Sequence, residues 1–113
     1  MFFVLGGDMR GPYLLRPLQV DMSVPSRVGG VYCLSKSSKS VGYIGRAEQN
    51  LRDEIKTHWP EWQFFWYESA LSSREAYVNH CRTYHKHADN GLESKEHPTA
   101  PARLDIKCPV CGK

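Results

Sequence analysis

Two strand-prone runs joined by a short polar link constrain this chain most. GGVYCLSK (29–36) is rich in β-branched and aromatic residues, SSKS (37–40) follows as a turn, and VGYIG (41–45) is a second run of the same kind. Strands linked so closely pair antiparallel as a hairpin. Asn50 is a good N-cap, and Leu51, Ile55 and Trp59 recur at helical spacing until Pro60 ends the helix. WQFFWYES (62–69) reads as a third strand. A longer helix is predicted from about Ser72 to His87, with Tyr77, Cys81 and His85 on one stripe. The polar stretch 89–107, broken by Gly91, Pro98 and Pro101, reads as irregular. Before the hairpin, Phe2 to Leu5 suggests a short strand, and residues 1–29 otherwise read as an N-terminal extension.

A chain of 113 residues is naturally one domain, and 41% hydrophobic with 24% charged residues suits a globular protein. Domains this small gain from an added staple. The net charge of +3 is compatible with a nucleic-acid partner without arguing for one. No apolar run reaches bilayer length, so no membrane partner is expected. The opening MFFVLGGDMRGP lacks a basic leader, and its apolar run breaks at Gly6-Gly7-Asp8, which points to a cytoplasmic protein. In that compartment four cysteines are thiols or metal ligands rather than disulfides.

GVY at 30–32 and GYIG at 42–45, followed by a helix opening with Asn50-Leu51 and carrying His58, a strand, and a helix bearing Glu75, resemble the GIY-YIG nuclease superfamily over residues 30–87. The resemblance implies an α+β fold, a small three-stranded antiparallel sheet flanked by helices, and hydrolysis of DNA phosphodiesters with one divalent metal, Mg2+ or Mn2+. It implies that Tyr32 and Tyr43 project into the active site, where a phenol can orient water or hold a phosphate oxygen. It places Glu75 as the magnesium ligand; as Ser72-Ser73-Arg74-Glu75 the same residue is also the partner in a capping box. His58 falls beside the attacking water and could take its proton, or could equally sit at a helix end that favours its cation. Arg46 is the phosphate contact, or a solvated loop charge. With Lys36, Lys39, Arg52 and Lys56 it could form a weak basic surface.

One position departs from the pattern. The family's helix typically reads Asn-Leu, two residues, then arginine; aligned on Leu51 that place is Glu54, preceded by Asp53. Acids in a first helical turn complement the dipole, yet a carboxylate would repel a bound phosphate. Arginine at 54 is therefore expected to strengthen cleavage. Glu54 and His58, four apart, share a face and can pair.

Cys108-Pro-Val-Cys111-Gly has the spacing of a zinc knuckle, and Cys81 with His85, four apart on a helix, is a plausible other half. The set Cys81, His85, Cys108, Cys111 would form a closed structural Zn2+ site clamping the 88–113 tail, with His80, His87 and His97 as competitors for His85. A redox pair is the rival reading. Cys33 reads as a buried small apolar residue. The leading expectation is thus a metal-dependent DNA endonuclease. A catalytically weak DNA-binding module and a zinc-stabilised protein-interaction domain are the alternatives, and targeting would come from a protein partner or from residues 1–29.

Overall fold

The computed structural model describes residues 9–37, 40–88, 92–93 and 96–112, so the strand expected at Phe2–Leu5 and the basic Lys39 lie outside the described residues. Seven elements follow one another: β1 (Arg10–Leu14), α1 (Pro17–Ser23), β2 (Gly29–Ser35), β3 (Tyr43–Ala47), α2 (Leu51–Lys56), β4 (Phe64–Ala70) and α3 (Ser73–His87). The fold is α+β, with one antiparallel sheet in the order β1-β4-β2-β3.

The hairpin forms as β2 and β3, with Tyr32 opposite Gly45 and Leu34 opposite Tyr43. β2 is also paired along its whole length with β4. That pairing explains Gly30, where a Cβ would come 2.2 Å from the Glu68 carbonyl oxygen. The sheet has four strands rather than three. The fourth, β1, is RGPYL, which carries a proline and a register irregularity between Arg10 and Tyr13. Proline, lacking an N–H, is tolerated on an edge strand, and the edge is where β1 lies. α1 has Pro17 at its first turn, where no intrahelical donor is lost, and buries Val20.

Alternation along the strands assigns the two faces. Tyr32, Leu34 and Phe65 share one core cluster with Val20, Leu51 and Ile55 from α1 and α2. Val31, Cys33 and Ile44 form another with Leu92, and Tyr84 of α3 packs against it. α2 stops at Lys56, one turn earlier than its apolar spacing suggests, so Trp59 lies beyond it and is 48% exposed. Among the described residues no helix is long and apolar enough to cross a membrane.

A candidate active site and metal centre at the edge strand

β3 is the outer strand of the sheet, and its alternation sends Tyr43 and Gly45 to the α2 face and Ile44 and Arg46 to the α3 face. A cleft of about 310 Å3 wraps this edge. Tyr32, Tyr43 and Glu54 line it from one side, Arg46 and His80 from the other, and residues 96–99 of the tail close it.

On the α2 side three polar groups converge. The Tyr32 hydroxyl lies 3.0 Å from Glu54 Oε2 and 2.9 Å from His58 Nε2. The rings of Tyr32 and Tyr43 stand 5.4 and 5.2 Å from the His58 ring. Asn50 positions this set by capping α2, its side chain accepting from the Asp53 N–H. Glu54 and His58 then project one turn apart toward the same strand pair. Gly45 makes room for it: a Cβ there would fall 2.3 Å from the Tyr32 hydroxyl oxygen.

A carboxylate has no proton to give, and a phenol has one. The Tyr32 O–H therefore donates to Glu54, and His58 Nε2 faces the same phenol oxygen, as donor or acceptor according to the imidazole tautomer. Burial, followed by the charge of Glu54 and the neighbouring Tyr43, pushes the Tyr32 phenol far above its ordinary range, so it stays a neutral donor.

Arg46 is held on the opposite face. Its side chain is 13% exposed, its Nε donates to Glu48 at 2.9 Å, Nη1 to His80 Nδ1 at 3.3 Å and Nη2 to the Thr99 carbonyl at 2.6 Å. The guanidinium sits 5.4 Å over the Tyr77 ring. Burial, then the positive charge of Arg46 and the nearby His97, hold His80 down to about 4, so it is a neutral acceptor here. His80, weighed from the sequence only as a zinc competitor, is a cleft residue. Among the described residues, the wider basic surface does not gather around Arg46. Arg52 donates to the Val24 carbonyl, Lys56 pairs with Asp21 at 2.8 Å, and Lys36 lies over the Trp62 ring.

Glu75 is exposed and lies outside the residues lining the cleft. Its backbone N–H donates to the Ser72 hydroxyl at 3.1 Å, and its carboxylate accepts from the Leu71 N–H. That is a cap at the start of α3. Glu75→Ala should accordingly lower unfolding free energy by about 1 kcal/mol, read in a denaturant titration, and Glu75→Gln should recover most of it.

The tail gathers a metal-ligating quartet. The ligand atoms of His85, His97, Cys108 and Cys111 all lie within 4.8 Å of one another and could hold a metal such as zinc. His97 Nε2 is 3.3 Å from His85 Nε2 and 3.3 Å from Cys111 Sγ. Two nitrogens bound at tetrahedral angles to one zinc stand about 3.3 Å apart, so the histidine pair fits the ion. His97 Nδ1 lies 2.8 Å from the Pro98 carbonyl, which takes the Nδ1–H and leaves Nε2 free to ligate. The Val110 N–H donates to Cys108 Sγ and the Gly112 N–H to the Cys108 carbonyl, with Gly112 at φ 79°. Burial pushes the Cys108 thiol up, but the N–H groups of Cys111 and Val110, then His97 and Cys81, outweigh it and hold it below the ordinary thiol range, the direction that favours a metal-binding thiolate.

His97 takes the place expected of Cys81. Helical spacing does put Cys81 and His85 on one stripe, but the stripe passes from interior to surface between them. Cys81 is fully buried in a cluster with Tyr77 and Cys108. Burial pushes its thiol up to about 11, and it is hydrogen-bonded to Tyr77 and Cys108 behind the quartet.

No protein-family model, no curated protein and no solved structure matches this chain.

Proposed function

We propose that the chain is a metal-dependent endonuclease of the GIY-YIG type, hydrolysing DNA phosphodiester bonds in the cleft at the β3 edge. The observation that carries this reading is the Tyr32 hydroxyl held between Glu54 and His58 in a cleft that also presents Arg46. A phosphodiester bound there would meet the Arg46 guanidinium and the Tyr43 phenol. The Tyr32 phenol lines the cleft, and through it the proton of the attacking water passes to His58, which lies behind it. Glu54, hydrogen-bonded to the same phenol, holds it in place for that transfer. Attack forms the new P–O bond as the leaving sugar oxygen departs in line. Besides Glu48, which pairs with Arg46, the acids lining the cleft are Glu54 and Glu96. Magnesium asks for only one or two carboxylates, and these would hold it rather than the capped Glu75. When bound, magnesium or manganese supplies charge stabilisation to the phosphate oxygens.

The tail metal, in this reading, is zinc. Two cysteines and two histidines make a closed tetrahedral set, which suits a structural ion.

Glu54 gives the sharpest test. Sequence reasoning expects arginine at this position to help phosphate binding. In the present reading that expectation reverses, because arginine cannot accept the Tyr32 O–H. Glu54→Arg should lower magnesium-dependent cleavage of duplex or flapped DNA by about tenfold or more, and Glu54→Gln, which can still accept, should lose less. Faster cleavage by the arginine variant would remove Glu54 from the working set.

A further inference from the structure

The metal quartet and the cleft share a wall. His97 belongs to both, and the residues that follow it run along the cleft to Thr99, whose carbonyl accepts the Arg46 Nη2–H at 2.6 Å. A second connection runs beneath. Arg46 stacks over the Tyr77 ring, and Tyr77, Cys81 and Cys108 form one buried cluster. The quartet member Cys108 is thus packed against the group that supports the guanidinium. His85 and Cys111, neither of which lines the cleft, each lie 3.3 Å from His97 Nε2.

We propose that metal occupancy of His85, His97, Cys108 and Cys111 positions Arg46: the ion clasps residues 96–99 as a strap along the cleft, and the strap aims the guanidinium. An arginine has several rotatable bonds and loses much freedom when ordered. Here the Glu48 carboxylate, His80 and the Thr99 carbonyl fix the fork, while further N–H donors remain on it for a phosphate oxygen. Of those three partners, only Thr99 belongs to the tail. Apart from the ion, the segment is tied to α3 by the contacts of His97 with His85 and Tyr84 and by the packing of Ala100 on the Tyr77–Cys81 cluster. Without the ion the strap would loosen, and Arg46 would lose the contact that turns Nη2. The metal then acts on the cleft without touching substrate, and Arg46 is its positioning target. This inference rests on reading Arg46 as the phosphate contact.

The test uses the full chain and the variant Cys111→Ser, which removes a ligand that does not line the cleft. Three quantities are read: zinc by elemental analysis, hydrogen exchange of the Arg46 guanidinium by NMR (assigned from the signal lost in Arg46→Lys), and binding of inorganic phosphate followed on that signal. Zinc-bound wild type should show slow exchange and a phosphate-induced shift. Cys111→Ser should retain the far-UV circular dichroism of the sheet, exchange faster at Arg46, and bind phosphate about tenfold more weakly, the loss of one charge-assisted contact. Zinc removal from wild type by a chelator should reproduce these changes, and zinc re-addition should reverse them. Unchanged Arg46 exchange after zinc loss would overturn the proposal. So would a wild-type chain that holds no metal, or a sheet that unfolds when zinc leaves, since the ion would then hold the fold and not the strap. Failure of the zinc-bound wild type to cut DNA would refute the nuclease reading and leave these measurements to decide the clasp.

Discussion

His58→Ala is expected to lower magnesium-dependent DNA cleavage by about 10²–10⁴-fold, the usual contribution of one positioned general base. The loss should fall on kcat, because His58 does not line the cleft that would hold the phosphate. DNA binding should be nearly unchanged. The ring packs on Tyr32 and Tyr43, with centroids 5.4 and 5.2 Å away, so some stability will also be lost, about 1 kcal/mol. Stability and activity can be separated with Tyr32→Phe. That change keeps the ring but removes the hydroxyl joining Glu54 to His58. It should also impair kcat, by a comparable factor, because the route from the attacking water to His58 is cut. The Tyr32 phenol is pushed above its ordinary range and adds no ionisation of its own near neutral pH. A His58→Ala enzyme with undiminished kcat would eliminate the proposed base.

The second large effect concerns the tail. Cys108→Ser should release the bound zinc and lower unfolding free energy by about 4 kcal/mol where free zinc is roughly a thousand times its Kd. That corresponds to a fall of about 15 °C in melting temperature for a domain of this size. Cys108 suits this role better than the other ligands because it is fully buried and also contacts Cys81. Cys81→Ala should behave differently. Its thiol lies behind the quartet, so the ion should be retained while buried packing is lost. Zinc lost from Cys81→Ala but kept by His97→Ala would restore the ligand set expected from spacing alone.

Local signals in the chain carry the middle of the fold well. The hairpin of β2 and β3 follows from two β-rich runs and a polar link, and α2 and α3 begin at Asn50 and Ser72, where the capping residues stand. β1 and α1 escape notice for opposite reasons. RGPYL contains two residues that discourage strands and succeeds only because the sheet edge excuses its proline. PLQVDMS is too short for a periodic signal, although Pro17 marks its start.

The candidate site divides in the same way. Tyr32, Tyr43 and Arg46 share a cleft, and His58 packs against both tyrosines. Glu54 and His58 are spaced to share a face, and that face meets Tyr32. His80 and His97 could not be singled out, because their partners lie 34 residues away at Arg46 and 14 residues away at Cys111, with no fixed spacing to announce them. Spacing favours Cys81 as a ligand because helical periodicity specifies which residues share a stripe, but not how deeply each is buried.

The proposed cleavage of DNA in the cleft at the β3 edge is tested most directly by incubating the purified full chain with plain, flapped and branched DNA in magnesium. Cleavage of at least one substrate, abolished by chelating the magnesium and strongly reduced in Tyr32→Phe, is the predicted result. Salt-dependent DNA binding with no cleavage of any substrate, in a chain shown to be folded and zinc-loaded, would contradict it.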